Sequence, residues 1–146
     1  MEAVRKFYET LGEEFVKALN DMIVFDALIY NVDRHFGNFG LLIDSKTNRI
    51  VSPAPLFDHG NSLFNLVALD IIDNPSAMRK YAKTLLPCIY DDFVMEARKY
   101  ITHEQRNSLR KLLDFKFKRH PQYNLDSKRL SMLERMVSER AKEILG

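Results

Sequence analysis

One cysteine stands among the 146 residues, so no disulfide closes within the chain and a reducing compartment is the expectation. Cys88 itself reads as a small apolar residue packed in a helical core rather than as a reactive thiol. An excess of one charge is missing too: 22 Lys and Arg stand against 20 Asp and Glu, a net charge of +2. So close a balance builds no strongly basic face, and neither nucleic acid nor an acidic membrane is an expected partner. No run reaches the roughly 18 apolar residues that a membrane span needs. The opening MEAVRKFYETLGEEFVK has no apolar stretch of the signal-peptide kind. Internal repeats, low-complexity tracts and a recognisable linker are also lacking. These absences leave one cytoplasmic globular domain over residues 1–146, with 46% hydrophobic residues to build its core.

What is present is mostly helical in period. From Thr10 to Asn31 the residues Phe15, Ala18, Leu19, Met22, Ile23, Asp26 and Ile29/Tyr30 recur on one face, so one long helix is predicted. Thr10 followed by Glu13 has the form of a capping box at its start. The period then stops at NVDRHFGNFG, where glycines and turn-forming polar residues cluster. Two short apolar runs, around GLLID and IVSP, flank the polar turn SKTNR and predict a β-hairpin. Pro53 and Pro55 confine its second strand to a short or edge-type piece. Such a hairpin brings DRHFGN and DHG to the same end. Beyond Asn61 helices resume, with expected interruptions at Pro75, Pro87 and Pro121. Thr102 with Gln105 predicts a second capping box, opening a helix through Leu109, Leu112 and Leu113. Leu130, Leu133, Met136/Val137 and Ala141/Ile144 line a last amphipathic helix that closes at Gly146. The short basic stretch KFKRHPQYN reads as a solvated connection. The fold class is therefore mainly α with one small β-hairpin.

The chemistry sits at the ends of that hairpin. Phosphoryl transfer from ATP needs a carboxylate that orients the acceptor hydroxyl and takes its proton, and oxygen ligands that hold Mg²⁺ on the phosphates. Protein kinases supply a catalytic-loop Asp, an Asn five positions later, and the Asp of a following Asp-Phe-Gly. Here Asp33 and Asn38 have that spacing, and Asp58 in FDHG follows across the hairpin. Four fixed residues of the form D-R-H-x-x-N arise by chance on the order of once in 10⁵ start positions. Asp-x-Gly at a suitable distance adds weight that neither element has alone.

The run from Asp26 to Leu63, with DALIYNVDRHFGNFGLLID and PLFDHGNSL, resembles the catalytic core of HipA-like bacterial serine/threonine toxin kinases. It is more distantly similar to the phosphatidylinositol kinases, which share the D-R-H-x-x-N order. The resemblance implies a protein-kinase-like C-lobe whose hairpin carries the catalytic and metal loops. It also implies ATP and Mg²⁺ as cofactors, a protein substrate, Asp33 as catalytic base, Asn38 as a Mg²⁺ ligand and Asp58 as the principal one. His59, in place of the usual Phe, either packs differently or touches the nucleotide. Arg34 either meets a phosphate or pairs with a carboxylate that braces the loop. His35 reads as a hydrogen-bonding brace, and Gly37, Gly40 and Gly60 as residues that permit tight bends. An acid on the inward face of a helix needs partners, so Asp26 is expected to anchor the loop through backbone amides or Arg34. Asn31 reads as a further brace, and Asp44 and Asp73 as surface or cap residues.

No Gly-x-Gly-x-x-Gly is present, and no strand with a Val-Ala-Ile-Lys-like lysine precedes the loop. The expectation is a C-lobe without its N-lobe: part of a longer protein, a natural half that meets its N-lobe in trans, or a degenerate relative. Weak or no phosphotransfer by the chain alone follows. Two readings compete. One is a non-catalytic helical module binding a partner protein such as an antitoxin. The other is a metal-dependent phosphoester hydrolase using Asp33, His35, Asp58 and His59.

Overall fold

The computed structural model describes residues 1–146 and contains seven helices and one two-stranded sheet. The long helix expected over Thr10–Asn31 is α2 (Glu13–Ile29), and a separate helix that the sequence did not suggest, α1 (Glu2–Leu11), precedes it. Gly12 separates them with φ 121° and ψ 173°, a conformation essentially closed to residues with a Cβ. The expected capping box at Thr10 does not form, because Gly12 is the N-cap of α2 and the Thr10 hydroxyl donates to Phe7 O. The face of α2 is as the period predicts. Phe15, Leu19, Met22, Ile23 and Asp26 are all buried, and α2 packs against α1, α5 and α7.

The hairpin joins β1 (Leu41–Ile43) to β2 (Ile50–Pro53), antiparallel, with Leu41 opposite Pro53. Ala54 N–H donates to Gly40 O and extends the pairing to the end where both polar loops emerge. At the far end Asp44 shapes the turn: its Oδ1 accepts the Lys46 and Thr47 amides and the Thr47 hydroxyl. Those bonds hold its carboxyl below the usual range.

Past the hairpin, residues 61–68 are turns rather than the expected helix, and α3 is one turn, Leu69–Ile72. Pro75 starts a helix instead of interrupting one. It occupies the first position of α4 (Pro75–Ala82), where a missing N–H costs nothing, and Asn74 caps the helix. Then come α5 (Phe93–Tyr100), α6 (His103–Arg110) and α7 (Ser127–Leu145). The Thr102–Gln105 capping box opens α6 as expected, but α6 stops at Arg110, and Leu112 and Leu113 pack from a turn. Cys88 is exposed and lies in an irregular segment, against the expectation of a helical core position. The apolar interior forms three groups, and α2 contributes to every one through its faces or its C-terminal Tyr30. No helix is long and apolar enough to cross a membrane.

Candidate catalytic loop and its anchor

The last turn of α2 buries an ion pair. Asp26 and Arg34 are both fully enclosed, and Arg34 grips the carboxylate with two nitrogens, Nε to Oδ2 at 2.7 Å and Nη2 to Oδ1 at 3.0 Å. Asn31 Nδ2 donates to Asp26 Oδ1 at 2.9 Å. Arg34 uses its remaining end nitrogen differently. Nη1 donates to the carbonyl of Asn38 at 2.5 Å and to that of Phe57 at 2.7 Å. One guanidinium therefore ties together the end of α2, the end of the DRHFGN loop and the residue before Asp58. Such an enclosed charge is tolerated because its donors are satisfied. Of the two readings of Arg34, the geometry is that of the carboxylate-paired brace.

Within this frame Asp33 and Asn38 are hydrogen-bonded to one another, and Asp58 follows the Phe57 carbonyl that Arg34 holds. Asp33 is half-buried; its N–H donates to Asn31 Oδ1 at 3.2 Å, and its carbonyl accepts Asn38 Nδ2 at 3.0 Å. With Nδ2 so engaged, Asn38 Oδ1 is left as an acceptor with no protein donor. His35 folds back so that Nδ1 accepts the Gly37 N–H at 3.1 Å. A Cβ at Gly37 would lie 3.1 Å from that ring, so the small residue allows the brace. Asp58 is exposed and makes no hydrogen bond or ion pair. His59 is half-buried, edge-on to Phe25 at 5.2 Å between ring centres, with Nε2 shut from solvent and unpartnered. Of the two readings of His59, the contact seen is the packing of its ring on Phe25.

One participant was not read from the sequence. Asn61 Nδ2 donates to Asp33 Oδ2 at 2.8 Å, while Asn61 O accepts the Val32 N–H at 3.3 Å. A polar amide three residues after Asp58, immediately past a glycine, was the available signal.

The backbone around the site is strained where the sequence did not place the strain. Gly60, expected to make the bend after Asp58, has an ordinary φ; Asp58 itself takes φ 56°. Tyr30, at the end of α2, has φ 55°, and Leu63 and Phe64 follow with φ 49° and 57°. Side-chain-bearing residues in this region cost about 1–3 kcal/mol each and persist where the surroundings over-determine them. Tyr30 and Phe64 hold one another, ring centres 4.5 Å apart in the core, and Leu63 N–H donates to Ile29 O. Burial pushes the Tyr30 hydroxyl up to about 12. Burial, then the Asp26 charge, also raises Tyr90, whose hydroxyl is enclosed without a partner.

Chemically the set offers one carboxylate with an oriented oxygen, one free amide oxygen and one unpaired carboxylate. No group of three or more His, Cys, Asp or Glu side chains is arranged to hold a metal, so Asp33, His35, Asp58 and His59 do not stand together as a four-residue cluster. A magnesium ion on a nucleotide asks for less from the protein, since phosphate and water oxygens complete its shell; Asn38 Oδ1 and the Asp58 carboxylate are the acceptors that carry no protein donor here. No known protein family, curated protein or solved structure matches the chain.

Proposed function

We propose that the chain is the catalytic-loop half of an ATP- and Mg²⁺-dependent kinase of protein Ser/Thr hydroxyls. It acts with a nucleotide-covering lobe that residues 1–146 do not include. The observation that carries this reading is Arg34 Nη1, which holds the carbonyls of Asn38 and Phe57 together and so seats Asn38 beside the residue preceding Asp58. Mg²⁺-bound phosphate needs oxygen ligands held in place, and this buried arginine ties together the two segments that carry Asn38 and Asp58. Asp33 is the base. Asn61 fixes one carboxylate oxygen, leaving the other to accept the proton of the substrate hydroxyl. Asn38 Oδ1 and the Asp58 carboxylate are the protein's metal ligands, and their fixed backbone keeps them in place before the nucleotide arrives. When bound, Mg²⁺ neutralises the charge of the phosphate oxygens.

The test is a calorimetric titration of Mg²⁺-ATP into the chain and into Asp58→Ala. Binding that requires Mg²⁺ and vanishes in the variant is expected. Equal binding by the variant would remove Asp58 from the site. In the assembled enzyme, Asp33→Asn should lower phosphotransfer by about 10²- to 10⁴-fold.

A second reading has its own observation. Leu42, Ile43, Ile50 and Val51 are all exposed, so the hairpin presents apolar side chains to solvent. A non-catalytic module that docks a partner protein such as an antitoxin would use that surface. It predicts no Mg²⁺-dependent nucleotide binding at millimolar concentration.

A further inference from the structure

Away from the catalytic loop, a cleft of about 620 Å³ opens between α4, α5 and α7, with Tyr30 in its wall. Its size is that of a small-molecule site. None of Asp33, Asn38, Asp58 or Asn61 lines it.

Arg140 is the residue in this cleft that the fold leaves unexplained. It is 7% exposed, and its guanidinium carbon lies 3.8 Å from the centre of the Tyr30 ring. Its Nε is shut from solvent with no hydrogen-bond partner. Its one carboxylate neighbour is Glu143 Oε2, 3.2 Å from Nη1. A guanidinium carries five N–H donors, and a buried one normally engages every nitrogen, as Arg34 does here with four bonds. The Tyr30 ring lies against the group and leaves Nε without an acceptor.

The other charges of the cleft fall into two sets. The acids are engaged: Glu139 in a two-point pair with Arg79, Glu143 beside Arg140, and Asp92 accepting the Met95 N–H as the cap of α5. Lys83 and Lys142 line the same cleft with exposed side chains that join no ion pair. Half of the lining is apolar, including Leu85, Phe93 and Met136. Cations in surplus, a pre-oriented guanidinium short of acceptors and an apolar wall define one kind of ligand.

We propose that this cleft binds a small organic phosphate monoester. Its oxygens meet the terminal nitrogens of Arg140, since Nε is closed off, and its apolar body lies on Phe93 and Met136. Lys83 and Lys142 favour the dianion over a carboxylate. The site stands independently of the kinase reading.

The probe is 1-naphthyl phosphate, titrated calorimetrically into the full chain, with 1-naphthol and 1-naphthoate as controls. Saturable one-site binding is expected, with the carboxylate weaker and the naphthol weaker still. Arg140→Met should weaken it roughly tenfold or more, and Lys83→Ala/Lys142→Ala roughly threefold to tenfold. The lysine pair is exposed, so that variant folds even if Arg140→Met does not. Asp58→Ala should bind the probe as the parent does, which separates this cleft from the nucleotide site. Absence of saturable binding, naphthol binding as well as the phosphate, or full affinity in the lysine variant would each overturn the proposal. So would a phosphoserine peptide binding tenfold more tightly than the probe, which would assign the cleft to a protein partner.

Discussion

Asp26 and Arg34 share one enclosed space, and removing either charge strands the other. Asp26→Ala should cost about 3–5 kcal/mol, read as a lower midpoint in urea unfolding. An unchanged midpoint would mean that the loop is held by something else. This pair was half legible beforehand. An acid on the apolar face of a helix signals a partner, and Arg34 lies only eight residues on. Asn61 was not legible in its role, because its bond to Asp33 spans 28 residues and exists only once the hairpin has folded back. Nor was the left-handed backbone at Asp58: a neighbouring glycine draws the expectation of a bend, and nothing local says that the acid takes it.

Helix boundaries divide according to whether their cause is local. The Thr102–Gln105 box is a local exchange of two hydrogen bonds, and it formed where the sequence placed it. At Gly12 the backbone breaks inside the span read as one helix, because glycine alone adopts that conformation freely. A Cβ there meets nothing within 4 Å, so Gly12→Ala carries only the backbone penalty. The expected result is a fall in melting temperature of roughly 3–10 °C. A variant of equal stability would show that α1 and α2 fuse without cost. Helix α7 anchors the basic connection before it through Glu134, which is 2% exposed and bonded by Lys116 Nζ, Arg119 Nη1 and the Phe117 N–H. Burial opposes ionisation of that carboxyl, but the bonds outweigh it and set its pKa below the ordinary 4.5. Because the folded value is the lower one, the stabilisation is present above pH 4.5 and is lost as pH falls through the folded pKa. Glu134→Gln should flatten that acid limb in urea unfolding measured across pH. An identical slope would exclude Glu134 as its source.

For the whole molecule, the exposed hairpin is the feature that small soluble domains usually avoid. Val51 is 59% exposed, so Val51→Lys should move the melting temperature little while reducing self-association in light scattering. A large loss of stability would instead mean that the hairpin packs more firmly than its exposure indicates. The sequence by itself determined the helical class, the hairpin, the residues of the loop and the shared end at which Asp33, Asn38 and Asp58 emerge. Those follow from periodicity and from fixed short spacings, which are local. Only the tertiary structure decided that one arginine bridges the two loops, that Asn61 reaches Asp33, and that Arg140 is left short of acceptors over Tyr30. Each depends on side chains distant in sequence meeting inside a low-dielectric interior, where an unpaired donor is costly and a satisfied one dictates geometry.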